Sequence, residues 1–288
     1  MDGLREEGEE VIAVRFLELE LESARPLAGS SPPLRDPFSF ALPADRVAVI
    51  CDRPEPGVYR LTRVDDRESP LACPPDLQPN LVAEDGEGNV LVVGAGSAAL
   101  LARDGRVIRP LELGAGISDV CYDPDGNFVV LRAMRRAPQS ILDRYGPEGD
   151  RVEKDEAIRR IMDHTTRTSG RMLLIQRDGT LWLDMAEKYD VDGALLDVIE
   201  PVELFGPGRI SADRFGWDGV VVLSERGVLT ALLPHGRKRL FRVPEAAVIE
   251  ALGRPLSSAH DLIATRDEHL VVLATDHPTL LGFRMLWE

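Results

Sequence analysis

Apolar residues come in short blocks along this chain, and most blocks are entered through an acidic, glycine-bearing turn. The clearest is EDGEGNVLVV, residues 84–93. Close copies are PDGNFVVL (124–131), RDGTLWL (177–183), WDGVVVL (217–223) and RDEHLVVL (266–273), with a degraded copy, ADRVAVI, at 44–50. Glycine after aspartate suits the positive φ of a tight turn. The valine- and leucine-rich block behind it reads as a buried strand. With Val47, Val90, Phe128, Leu181, Val220 and Leu270 as equivalent positions, the spacings are 43, 38, 53, 39 and 50 residues. That is the period of four-stranded units repeated around a ring. The pattern predicts an all-β, six-bladed propeller forming one domain over residues 1–288.

The units can be read strand by strand. The first is PFSFALP, RVAVICD, GVYRLTRV and a weak SPLACP, and the third is ISDVCYD, NFVVLRA, SILDRYG and RVEK. The last, HDLIATR, HLVVLAT and TLLGFRML, has only three strands, whereas the N-terminus has one to spare. In VIAVRFLELELE (11–22), Leu17, Leu19 and Leu21 alternate with Glu18, Glu20 and Glu22, the period of a strand with one wet face. This strand is expected to complete the 258–288 unit and close the ring, its glutamates guarding a free outer edge.

Three segments break the strand pattern. ARPLAGSSPPLRDP (Ala24 to Pro37) reads as a loop. DEAIRRIMDH (155–164) sets Ala157, Ile158, Ile161 and Met162 on one helical face, and PEAAVIEALG (244–253) is a helix bracketed by proline and glycine. Each lies between one unit's outer strand and the next unit's inner strand. All three are therefore expected on one face of the disc, the place for function.

Charge narrows the partners. A net charge of −15 and a pI near 4.9 argue against nucleic acid and anionic membranes. Cys51, Cys73 and Cys121 give neither a disulfide framework nor a CxxC metal signature. The leading MDGLREEGEE lacks an apolar core of the secretory kind, so the cytoplasm is the expected compartment. One stretch differs from the rest: residues 132–171 hold ten Arg or Lys and seven Asp or Glu. Arg132, Arg135, Arg136, Arg159 and Arg160 are expected to form a basic island that binds a protein partner or a larger assembly.

PDGNFVVL, DGTLWL and LLARDGRVIR resemble the six-bladed propellers of the NHL and SMP-30/gluconolactonase kind. That resemblance implies a divalent metal, Ca²⁺ or another, on Glu, Asn and Asp side chains at the central channel of a hydrolase or lactonase. Asn80, Asp119 and Asp261 stand near the starts of inner strands and match such ligands, with His260 beside Asp261. PFSFALP has no glutamate for the family's first ligand, and Arg171 and Arg209 occupy comparable positions. The leading expectation is therefore a non-enzymatic interaction module with no cofactor. The metal-dependent hydrolase and a small-ligand sensor are the alternatives.

Overall fold

The structure, a computed structural model, describes residues 17–27, 34–35, 37–41, 48–55, 58–64, 68–71, 73–74, 76–85, 87–132, 142–165, 173–176, 178–183, 187–198, 208–212, 220–224, 228–232, 238–256, 259–264, 269–274 and 278–287. The N-terminal strand is β1 (Leu17–Pro26). A first antiparallel meander follows: β2 (Pro37–Ala41), β3 (Ala48–Glu55), β4 (Val58–Val64) and β5 (Glu68–Leu71). The second is β6 (Pro79–Glu84), β7 (Val90–Gly94), β8 (Ala98–Leu101) and β9 (Val107–Leu111). The third has β10 (Ile117–Tyr122), β11 (Phe128–Arg132) and β12 (Leu142–Tyr145), and helix α1 (Glu156–His164) comes after it. The fourth is β13 (Leu173–Ile175), β14 (Leu181–Leu183), β15 (Glu187–Tyr189) and β16 (Leu195–Val198). Then come β17 (Gly208–Ala212), β18 (Val220–Ser224), β19 (Val228–Leu232), β20 (Lys238–Arg242), helix α2 (Glu245–Leu252), β21 (Ala259–Ala264), β22 (His269–Ala274) and β23 (Thr279–Leu286).

The first strands β2, β6, β10, β13, β17 and β21 touch in turn, and β21 touches β2. The sheets thus stand around a closed ring, an all-β propeller with two helices. Six separate sheets were expected, and hydrogen bonding gives five. The difference lies at the chain's own seam. β1 pairs antiparallel with β23, Leu19 opposite Met285 and Leu21 opposite Phe283, and also parallel with β20, Leu17 opposite Phe241. That second pairing fuses the last two meanders into one eight-stranded sheet. The outer edge of β1 is therefore partly occupied rather than free. Its alternation holds in space, with Leu19 buried and Glu18, Glu20 and Glu22 exposed. The expected loop begins late, because β1 continues through Ala24, Arg25 and Pro26 along β23.

The expected fourth strand of the third meander, RVEK, shrinks to a single bridge between Tyr145 and Arg151. The chain leaves the edge there to enter α1. Asp155 caps that helix, its Oδ1 accepting from the Ile158 N–H at 2.8 Å, while its other oxygen pairs with Arg144 Nε at 3.0 Å. A Cβ on Gly193 would overlap the Ala157 carbonyl near the helix start, and Thr165 Oγ1 donates to Glu187 Oε2 at 2.6 Å past its end. The helix therefore runs along β15. Ile158 and Ile161 are buried with Leu142, Leu173, Leu183 and Tyr189, and Met162 packs against them. Val248 of α2 joins a core with Leu19, Phe241 and Phe283 in the same way. Sheets that radiate from a ring diverge outward, and a helix fills the widening gap with apolar side chains. α1 thus packs with the third and fourth sheets, and α2 with the fused sheet. No helix among the described residues is long and apolar enough to cross a membrane.

Candidate functional site: a carboxylate-lined cleft

The residues singled out for metal chemistry do not come to one level. β2, β6, β10 and β21 each carry an irregularity after their first residue. Asn80 sits at that bulge, as His260 does, whereas Asp119 and Asp261 sit one position further on. The side chains of His260 and Asp261 lie outside the described residues. Both oxygens of Asp119 accept from backbone: Oδ1 from Val120 N–H at 2.8 Å, and Oδ2 from Leu173 N–H at 2.7 Å. The thiol of Cys121 donates to the Leu173 carbonyl at 3.1 Å. Ser39 Oγ performs the Asp119 role two joints earlier, accepting from Val82 N–H at 3.3 Å.

These contacts have one physical cause. A first strand has no further strand on its inner side, so its peptide groups there need side-chain partners. Asp119 and Ser39 staple neighbouring first strands. Among the described residues, no group of three or more His, Cys, Asp or Glu could hold a metal. Asp119 is thus committed to two backbone amides, and the side chain of Asp261 lies outside the described residues. The DPDGN turn is likewise self-satisfied, Asp123 accepting from Asp125 N–H, Asn127 N–H and Asn127 Nδ2.

Of the described arginines, Arg159 and Arg160 are exposed on α1, and Arg132 is not with them. Arg132 is turned inward at the end of β11. Its Nε meets Asp143 Oδ2 at 2.9 Å, Nη1 donates to Ala115 O at 2.8 Å, and Nη2 donates to Leu113 O at 2.6 Å. The hydroxyl of Tyr145 lies 3.0 Å from the same Nη2 and donates to Leu113 O. Arg135, Arg136 and Arg171 lie outside the described residues. Arg159 is held by Glu156 and Asp163 on its own helix, and Arg160 donates to Asp192 O at 3.4 Å. The Arg159 hydrogen bond pulls the Glu156 carboxyl below its ordinary value.

Arg132 does anchor part of a site that was not among the expected ones. The segment it anchors, Leu113 to Ala115, carries Gly114, which with Pro110, Leu111 and Glu112 forms one wall of a cleft of about 570 Å³ at one end of the second meander. The other walls are Pro74, Asp76 and Leu77 before β6, and Gly96 and Ser97 between β7 and β8. Up-and-down strands bring these connections to the same end. Gly94 lets them close: a Cβ there would stand 2.7 Å from Gln78 O and 2.9 Å from a Leu77 methyl. Asp76 and Glu112 are the charged residues of the lining, and no cation lines it among the described residues. Both are exposed, whereas the Arg132 guanidinium behind Gly114 is paired with Asp143. A sequence signal existed, since CPPDLQP and LELGAG each put one carboxylate in a proline- or glycine-rich connection.

Cys73 stands beside the cleft, its thiol donating to Leu77 O at 3.6 Å. Burial, with Asp76 adding to it, pushes this thiol up to about 11 from 9.0. At pH 8 its thiolate is about a hundredfold scarcer than that of an ordinary cysteine, and iodoacetamide should alkylate it correspondingly slowly in the native protein. The folded state holds this proton more tightly than the unfolded one. Its stabilising contribution is therefore full below pH 9 and fades as pH rises toward 11. Native alkylation as fast as in urea would contradict this.

No family model matches the chain, and no curated protein does. Solved structures do resemble it. Virginiamycin B lyase from Staphylococcus aureus matches at 12% identity and a TM-score of 0.56, over 93% of this chain and 100% of that one. A putative gluconolactonase matches at 16% identity and 0.60, over 94% and 96%. YCF48 bound to D1 peptide matches at 14% identity and 0.54, over 86% and 77%. The likeness is one of fold. Propellers of this shape include enzymes and a peptide-bound protein, so function has to be argued from the site.

Proposed function

We propose that this protein is a non-enzymatic interaction module whose cleft-bearing face takes a basic segment of a partner protein. The carrying observation is the lining. Asp76 and Glu112 project from short connections stiffened by proline and glycine, and no Lys or Arg is among the described lining residues. A lysine or arginine entering the cleft would find two carboxylates and apolar walls from Leu77, Leu111 and Pro110. The neighbour with a bound peptide supports the reading at the level of fold only. The hydrolase alternative has similar fold support, but Asp119 spends its oxygens on structure.

The test is titration with a fluorescein-labelled peptide, Ac-GRKPGRK-amide, at low and moderate salt. Asp76→Asn with Glu112→Gln should weaken binding about tenfold. A control removing Glu18 and Glu20 on β1 should leave it unchanged. Equal losses in both variants would show general attraction of a polycation to an acidic protein and defeat the proposal.

A further inference from the structure

Nine large apolar side chains are exposed among the described residues, and four of them belong to one stretch. Val191 is 56% exposed, Leu195 43%, Leu196 54% and Val198 51%. Three of these are on β16, the outermost strand of the fourth sheet, whose hydrogen-bonded neighbour is β15. Successive strand residues face opposite ways, so Leu195 and Leu196 put apolar surface on both faces of this edge. The other outer strands are protected. β5 carries Pro70; β9, which also exposes Val107 and Ile108, carries Arg109 and Pro110; β12 is followed by α1 packed against it; and β20 and β1 pair with each other. Proline, charge and covering elements are the usual ways to stop an edge from recruiting a strand. β16 has no proline and a single charge, Asp197.

The edge is also primed for backbone pairing. Val198 N–H donates to the carboxylate of its own neighbour, Asp197 Oδ1, at 2.8 Å, a place that an incoming carbonyl could take. A second copy of this chain is a poor occupant. Four half-exposed aliphatic side chains fall well short of the ~800 Å² per partner of a standard interface. A single added strand needs less, because main-chain hydrogen bonds supply part of its affinity. Arg160 reaches the Asp192 carbonyl at one end of this edge, whereas the exposed Asp197 within β16 favours a strand bearing positive charge.

We propose that β16 is a strand-addition site for an extended, apolar segment of a partner protein flanked by lysine or arginine. The probe is fluorescein-labelled Ac-KVIVLK-amide, compared with Ac-KVPVLK-amide, in which proline blocks pairing. The first should bind saturably and slow hydrogen exchange at the Leu196 and Val198 amides. Leu196→Lys should weaken it about tenfold, with the variant's urea unfolding confirming an intact fold. The Asp76→Asn, Glu112→Gln protein should bind it normally, and loss there would place the peptide in the cleft and overturn the proposal. Equal binding of the proline peptide, or of the first peptide by the Leu196→Lys variant, would overturn it as well. A concentration-dependent dimer abolished by Leu196→Lys, without peptide binding, would assign the edge to a second copy instead. Binding that emerges only after deletion of residues 1–16 would assign it to the chain's own leading segment.

Discussion

Replacing Arg132 by methionine should cost the fold about 3 kcal/mol, the lower end of the range for removing one partner of a buried ion pair. The guanidinium and Asp143 are both nearly buried, at 13% and 9% side-chain exposure. Asp143 would keep only Arg151, whose side chain is 59% exposed and correspondingly screened. The Leu113 and Ala115 carbonyls would lose their guanidinium donors. Arg132→Lys should be intermediate, losing about 1–2 kcal/mol, because one ammonium cannot reproduce a planar fork that serves four acceptors. Urea unfolding monitored by circular dichroism reads both as a lower midpoint at unchanged slope. The cleft peptide should weaken in parallel, since the anchored segment is its wall. A loss under 1 kcal/mol for the methionine variant would mean that Arg132 behaves as surface charge.

Gly193→Ala should be of similar size, about 3 kcal/mol, from two separable causes. Gly193 has φ +80°, where a side chain adds strain. Its new Cβ would also run into the Ala157 carbonyl, backbone that cannot rotate away. Gly126→Ala is the internal control. It has φ +81° with nothing within 4 Å of the added carbon, so it should lose only about 1 kcal/mol. The difference between the two measures how tightly α1 is pressed onto the fourth sheet. Hydrogen exchange in α1 should accelerate in the Gly193 variant alone. Equal losses at the two positions would detach the helix from the argument.

The repeat was legible because turn chemistry is local. Asp–Gly pairs at Asp104–Gly105, Asp125–Gly126, Asp178–Gly179 and Asp192–Gly193 end in a glycine of positive φ. In each turn an aspartate accepts from nearby amides: Asp104 from Arg106, Asp123 from Asp125 and Asn127, Asp178 from Thr180, and Asp190 from Asp192 and Ala194. The stripe of α1 was legible for a similar reason, as Ile158 and Ile161 face the core that their spacing implies. The roles of polar residues were not. Asp119 reads as a ligand and serves as an acceptor for a strand 54 residues away. Arg132 reads as surface charge and is the anchor of a connection 17 to 19 residues earlier. Identity gives a side chain's chemistry but not the partner it will find.

The sequence by itself determined that short antiparallel strands would alternate with aspartate–glycine turns, and which side of β1 would be dry. Such features depend on neighbours within a few residues, where period and turn geometry leave little choice. Only the tertiary structure decided that β1 would bond to β20 as well as β23, that α1 would replace a fourth strand, and that Asp76 and Glu112 would face one cleft. Those outcomes depend on which edges and loop ends converge when the ring closes, and residues far apart in the chain settle that together.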